Sequence, residues 1–432
     1  MKNKFVWSTF ILIVGGFITK IIGMFIKIVM TRLIGTEGIG IYSLVTPTFM
    51  LLISLASLGL PISVSKLVAE DNRNNKNLVF LCFPITIFIN IIIMILLLFF
   101  GRFISNNLLH ETRISLAITC IGFVLPFISI SSILRGYFFG KQKMIPHVVS
   151  NVTEDFVRLV VIAIGVPFFL KKGIQYACAF IVLSNIISEL SSIFVLFFFL
   201  PRKFKIEKKD LVFNRRNFFD ILDISLPTTG SRLIGNIGYF FEPIIMTYFL
   251  LKNGYSNSFI VNEYGIINGY VMPLVLLPSF FTLAISQAII PVISYNYSHS
   301  NYGIVKNKIR QGIFFSLLIG IPCTIIFLIF PHVVLKIIYN TNLGIPYIRV
   351  MSVVCLLHYI QSPISSSLQA MGYANDSMKG TLFGMILRSL MLVIGCSIHI
   401  GMWGLIIATS VNITFVTIYD YSRIKKYLKR NG

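Results

Sequence analysis

The sequence predicts an all-α polytopic membrane protein of about twelve transmembrane helices, forming two pseudo-twofold-related six-helix lobes around a central cavity. Three observations lead there. The 432 residues are 56% apolar and only 12% charged, whereas soluble domains are about a quarter charged. Apolar runs of about 18 residues or more, each long enough to cross hydrocarbon as a helix, recur from end to end. A set of short motifs also appears in the same order in both halves.

Taken in order, span 1 (5–30) follows Lys2 and Lys4 as a signal peptide would. Its apolar run is too long for one, and no small-residue cleavage site follows, so it stays as a span. Span 2 (41–65) carries Pro47 and Pro61, and spans 3 and 4 cover 78–100 and 114–136. Span 5 (148–170) contains Glu154, Asp155 and Arg158. Span 6 (176–200) places Glu189 on a polar stripe with Asn185, Ser188 and Ser192, and such a stripe faces other helices, not lipid.

Span 7 (219–250) is interrupted by Pro227, Gly230, Gly235, Gly238 and Pro243, with Arg232 and Glu242 among them. Span 8 (264–293) holds Pro273, Pro278 and Pro291. Spans 9 to 12 cover 311–331, 346–370, 379–397 and 401–421. Helix breaks or hinges are expected at Pro47, Pro61, Pro227, Gly230, Pro273 and Pro291, because discontinuous spans in matching places of a repeat mark transport sites.

Along this path Lys and Arg gather on one side, roughly three times as often as on the other, which places both termini in the cytoplasm of a multi-pass cell-membrane protein. The net charge of +22 follows from this bias and implies no nucleic-acid partner. The densest segment, Pro201–Asn217, carries Arg202, Lys203, Lys205, Lys208, Lys209, Arg215 and Arg216 and suits anionic lipid headgroups. It divides the chain into an N-terminal lobe (1–200), a basic linker (201–218), a C-terminal lobe (219–421) and a basic tail (422–432).

The halves echo each other. FITKIIG (Phe17–Gly23) resembles TGSRLIG (Thr229–Gly235), Glu37 precedes Pro47 as Glu263 precedes Pro273, and Ser131-Ser132-Ile133-Leu134 recurs as Ser365-Ser366-Ser367-Leu368. Each half has an even number of spans, so the pseudo-twofold axis lies along the membrane normal.

Lys20, Arg158, Arg232 and Arg388 lie deep within spans. A charge at the bilayer centre costs roughly 2.5–3.5 kcal/mol on insertion scales, so four such cations call for a reason, and an anionic cargo supplies one. The repeat pairs Lys20 with Arg232 and Arg158 with Arg388. Lys27 shares a helix face with Lys20 or snorkels to the outer surface. Glu154, four residues before Arg158, makes a helical ion pair the competing explanation there, with Asp155 alongside. Glu189 pairs with Arg158 or Lys27, or accepts a proton during transport, and Glu242 is a further carboxylate open to either role.

There is no GxxxxGK[ST] phosphate loop, HExxH or GxSxG, and the six histidines are scattered, so no ATP-hydrolysing, metal or nucleophilic enzyme is indicated. The six cysteines lie in apolar segments without CxxC spacing; they imply neither disulfides nor zinc. No cofactor is expected.

The segments FITKIIGMFIKIVMTRLIGTEGIGIYSLV, LGLPISVSKLVAE, RGYFFGKQKMIPH, NVTEDFVRLV, LPTTGSRLIG and AISQAIIPVIS resemble the stage V sporulation protein B-like polysaccharide biosynthesis family, within the multidrug/oligosaccharidyl-lipid/polysaccharide exporter superfamily. The resemblance runs in order over nearly the whole chain. It implies two lobes with alternating access, and a polyprenyl-pyrophosphate-linked saccharide as cargo, of the peptidoglycan or spore-cortex type. Lys20 and Lys27 stand where relatives usually carry Arg, which keeps charge but loses bidentate phosphate grips. Asp155 replaces a usual Gln, and many relatives have two further spans that help form a groove for the lipid tail.

The expected function is therefore a flippase, with membrane lipids and wall-synthesis enzymes as further partners. Three alternatives stand beside it. One is a flippase for teichoic-acid or capsule precursors. Another is a cation-coupled multidrug exporter, which Glu189 and Glu242 would serve. The third is a non-transporting scaffold for wall synthesis.

Overall fold

The computed structural model describes residues 2–70, 75–200 and 212–431. All regular structure among them is helical. Packing divides the chain into two compact units, Met1–Pro243 and Ile244–Gly432. The boundary lies inside a helix. Residues 201–211 of the expected linker lie outside the described residues, and the six-and-six organisation is taken up below as a proposal.

In the first unit, α1 (Lys2–Ser57) is two helices joined at Gly35, whose φ of 67° and ψ of −171° fall in a region essentially confined to glycine. That residue separates spans 1 and 2. Span 2 then breaks at Leu58 and Gly59, both with positive φ, and resumes as α2 (Leu60–Ala69) with Pro61 in its first turn. Proline suits this position, where the missing N–H has no helical partner.

The unit continues with α3 (Asn75–Phe103), α4 (Ser115–Gly140), α5 (Met144–Leu170) and α6 (Ile174–Phe198). Close approach of α4 to α2 depends on small residues. A Cβ on Gly136 would lie 2.4 Å from the Pro61 carbonyl oxygen, and one on Gly140 2.6 Å from that of Ser65. Leu60, Val64, Leu78, Cys82, Ile133 and Phe138 fill the adjoining core. A second core joins Ile26, Met30, Ile34 and Ile39 of α1 to Ile162, Val166, Ala177 and Ile181 of α5 and α6.

Helix α7 (Arg215–Lys252) spans both units and runs unbroken through Pro227, Gly230 and Pro243. The interruption expected of span 7 is therefore absent. Helix also continues through Pro47 in α1. Within a membrane a proline forfeits one backbone hydrogen bond, but neighbouring groups compensate and helix persists on both sides. The first half of α7 packs on the end of span 2, where Asn236 Nδ2 donates to Ser54 Oγ at 2.6 Å.

In the second unit, span 8, expected to hinge at Pro273 and Pro291, is divided into several pieces. Helix α8 (Asn257–Gly265) starts at Ser256, whose hydroxyl accepts from the Phe259 amide. A π-helical turn (Ile266–Val271) and the short α9 (Met272–Val275) follow. After the turn 276–278, α10 (Ser279–Ser298) begins directly behind Pro278 and runs through Pro291. Pro273 stands in the first turn of α9. Two prolines five residues apart remove two donors from adjacent turns, so regular helix cannot bridge them.

The unit closes with α11 (Tyr302–Ile329), α12 (Pro331–Tyr339), α13 (Ile345–Ala370), α14 (Ala374–Ser397) and α15 (Trp403–Asn431). Its core joins Ile293, Val305, Ile309, Ile364, Leu368 and Ile424.

Among the described residues, ten helices are long and apolar enough to cross a membrane. Two spans escape that criterion for identifiable reasons. Gly35 divides the first of the ten in two, and α5 places Glu154, Asp155 and Arg158 within one stretch. Counting them restores the twelve spans read from the sequence. The protein is a multi-pass, all-α membrane protein.

Candidate functional site

The first unit contains a buried charge network that ties three helices together. Arg135, near the end of α4, bonds through Nη2 to Glu154 of α5, lies 3.5 Å from Glu189 Oε2 of α6 and donates to Ser192 Oγ at 2.6 Å. Ser131, one turn earlier on α4, donates to the same Glu189 oxygen. Arg158 holds the other oxygen of Glu154 and lies 3.5 Å from Asp155 Oδ1. Glu189 is 3% exposed and Glu154 7%, so these carboxylates have left water and are retained only because cations and hydroxyls replace it.

Two guanidinium groups thus face three carboxylates. The ion pair anticipated between Glu154 and Arg158 is present. Glu189, however, takes its cation from Arg135, not chiefly from Arg158 or Lys27. Reading Arg135 as the end of span 4 hid this residue. The signal was present in SSILRGYFF, an arginine with apolar residues on both sides.

Lys20 and Arg232 behave differently. Both are exposed, on α1 and α7, and neither makes an ion pair with an acid among the described residues. They belong to the same compact unit. Lys27 is half-buried on α1 with its Nζ 5.9 Å from the centre of the Tyr42 ring, a cation–π arrangement. Glu242 is half-buried on α7. Glu37 pairs with Arg113.

In the second unit, Arg388 is half-buried on α14 and donates to Thr409 Oγ1 at 3.4 Å. Glu263, the counterpart of Glu37, accepts from the Tyr347 hydroxyl at 2.6 Å. A further contact was not anticipated from sequence. Ser365 of α13 donates to Asp420 of α15, as Ser131 of α4 donates to Glu189 of α6. The repeated serines were legible, but the carboxylate each one holds was not.

No group of three or more His, Cys, Asp or Glu side chains able to hold a metal occurs among the described residues.

These features define a class: a multi-pass membrane protein with the fold of the MATE-family transporters, carrying both neutralised and unneutralised charges inside its spans. A solved inward-facing MATE multidrug resistance transporter superposes with a TM-score of 0.79 at 17% identity, covering 96% of this chain and 95% of that one.

The chain belongs to the polysaccharide biosynthesis protein family, whose model matches residues 5–297; a MatE model matches 264–394. It is 34% identical over 438 residues to stage V sporulation protein B of Bacillus subtilis (strain 168), covering 99% of this chain and 85% of that protein. It is 22% identical over 362 residues to the lipid II flippase MurJ of the same organism, covering 77% and 64%.

Proposed function

We propose that this protein is a flippase that moves a polyprenyl-pyrophosphate-linked saccharide across the cytoplasmic membrane by alternating access of two six-helix lobes, without covalent chemistry. The observation that carries this reading is the sorting of intramembrane cations. Arg135 and Arg158 are paired with Glu154, Asp155 and Glu189. Lys20 and Arg232 are exposed and make no direct ion pair among the described residues, Lys20 acting on Asp155 only at longer range. Unneutralised cations inside a membrane span are costly and by default functional, and a diphosphate is an anion able to repay them by charge-assisted hydrogen bonds.

Lys20 and Arg232 attract the diphosphate, Lys27 and Arg388 are accessory, and Arg158 serves the structural network. The prenyl tail stays in lipid while the sugar crosses. Both termini face the cytoplasm. The names of the relatives, one a sporulation protein and one a lipid II flippase, support a peptidoglycan or spore-cortex precursor over teichoic-acid or capsule precursors, and wall-synthesis enzymes as neighbours.

Translocation of defined polyprenyl-diphosphate sugars in proteoliposomes tests the reading. Arg232→Ala and Lys20→Ala should each slow flipping at least about tenfold, since a charged hydrogen bond lost in transport is worth about 1.4 kcal/mol or more. Unchanged rates in both variants would overturn the proposed contacts. A non-transporting scaffold would give no flipping in any variant, and a drug exporter would move cationic dyes in place of the sugar lipid.

A further inference from the structure

The two units hold equivalent Ser–carboxylate contacts but differ at one position. In the first unit, Arg135 follows Ser131 by four residues and neutralises Glu189. In the second, the residue four positions after Ser365 is Gln369, whose amide donates elsewhere, to Ser377 Oγ at 3.3 Å. Asp420 is fully buried. Its Oδ2 accepts from Ser365, while its Oδ1 has no hydrogen-bond partner among the described residues. The backbone of α14 covers that oxygen closely, since a Cβ added to Gly380 would lie 2.9 Å from it.

The charged and titratable groups around Asp420 do not neutralise it. On α14, Asp376 is itself acidic and accepts from the Tyr427 hydroxyl, and Lys379 is exposed. On α15, Arg423 bonds the Tyr419 hydroxyl at 3.1 Å and covers the Tyr419 ring. On α11, Lys308 donates to Gln311 at 3.0 Å. No ion pair to Asp420 occurs among the described residues. A fully buried, unpaired carboxylate is too costly to persist as an anion, so it holds a proton or a bound cation. Hard metal cations collect about six or more oxygen ligands; here one serine hydroxyl and the carboxyl itself are in place.

We propose that Asp420 is a proton-binding site of the second unit, the counterpart of Glu189 with the proton standing where Arg135 stands in the first. Deepening the flippase reading on which it rests, the site couples transport to protons. A proton adds to one carboxylate oxygen while the carboxyl is sealed between α13, α14 and α15. It leaves to water when those helices part.

Infrared spectroscopy of the purified full chain in lipid nanodiscs reads the proton directly, through the C=O stretch of a protonated carboxyl. A band should be present at neutral pH in the wild type, grow as pH falls, and be lost in Asp420→Asn. It should survive in Glu189→Gln. Gln369→Arg keeps the carboxyl and supplies the missing guanidinium; it should also lose the band, and it serves as the test if Asp420→Asn does not assemble. A band unchanged in Asp420→Asn and Gln369→Arg would overturn the site, as would a wild-type band abolished by sodium at constant pH.

In proteoliposomes under an imposed pH gradient, wild-type flipping should respond to the gradient and Asp420→Asn should lose that response. An undiminished response in Asp420→Asn overturns the coupling. An intact band without any flipping of sugar lipids would sink the flippase reading and leave the proton site standing, and normal flipping without the band would do the reverse.

Discussion

Arg135 shows how much one residue can hold together. Its guanidinium joins α4 to Glu154 on α5 and to Glu189 and Ser192 on α6. Removing it strands the buried carboxylate of Glu189 and leaves Glu154 to Arg158 alone, and breaking a buried pair from one side typically costs about 3–5 kcal/mol. Arg135→Ala should therefore markedly lower the thermal unfolding temperature of the detergent-purified protein. Arg232→Ala, whose side chain is exposed and has no acid partner among the described residues, should leave it nearly unchanged. A fall in both variants of similar size would contradict the division into structural and cargo-facing cations.

At the scale of elements, Gly35 and the charged run of α5 decide how the spans are counted. Gly35 breaks the 56-residue helical stretch Lys2–Ser57 into the two spans that hydropathy separates. Gly35→Ala should destabilise the protein by about 1–3 kcal/mol, the usual cost of forcing a side chain into so sparsely populated a backbone region. Equilibrium unfolding against the wild type measures it, and a neutral result would mean the break does not require that geometry.

The prolines teach the opposite lesson. Pro47, Pro227 and Pro291 sit within continuous helix, whereas the pair Pro273 and Pro278 coincides with a real interruption. Here a lone interior proline leaves helix on both sides, whereas the helix parts where Pro273 and Pro278 lie five residues apart. Reading prolines as breaks overstated the discontinuity of span 7 and misplaced part of that of span 8, whose helix parts after Val275 but runs through Pro291.

For the whole molecule, the proposed membrane orientation rests on the distribution of Lys and Arg. On that proposal, with both termini inside, the connection before α11 would face the cytoplasm and that before α13 would face out. After the six native cysteines are replaced, Leu343→Cys should react with a membrane-impermeant maleimide in intact cells. Lys306→Cys should react only after permeabilisation. The reverse pattern would invert the topology and the direction of flipping with it.

Helical class, the number of spans, the repeat and the existence of costly intramembrane cations were all determined by the sequence. Each depends on local composition and period, which the bilayer enforces wherever the chain folds. The identity of each charge's partner was decided only by tertiary structure. Ser131 and Glu189 are 58 residues apart, and Ser365 and Asp420 are 55 apart. No local pattern specifies which helix faces will meet. Packing brought an arginine to one carboxylate and none to the other, and so separated Arg135 and Arg158 from Lys20 and Arg232, because a buried charge is settled by whatever the neighbouring helix presents to it.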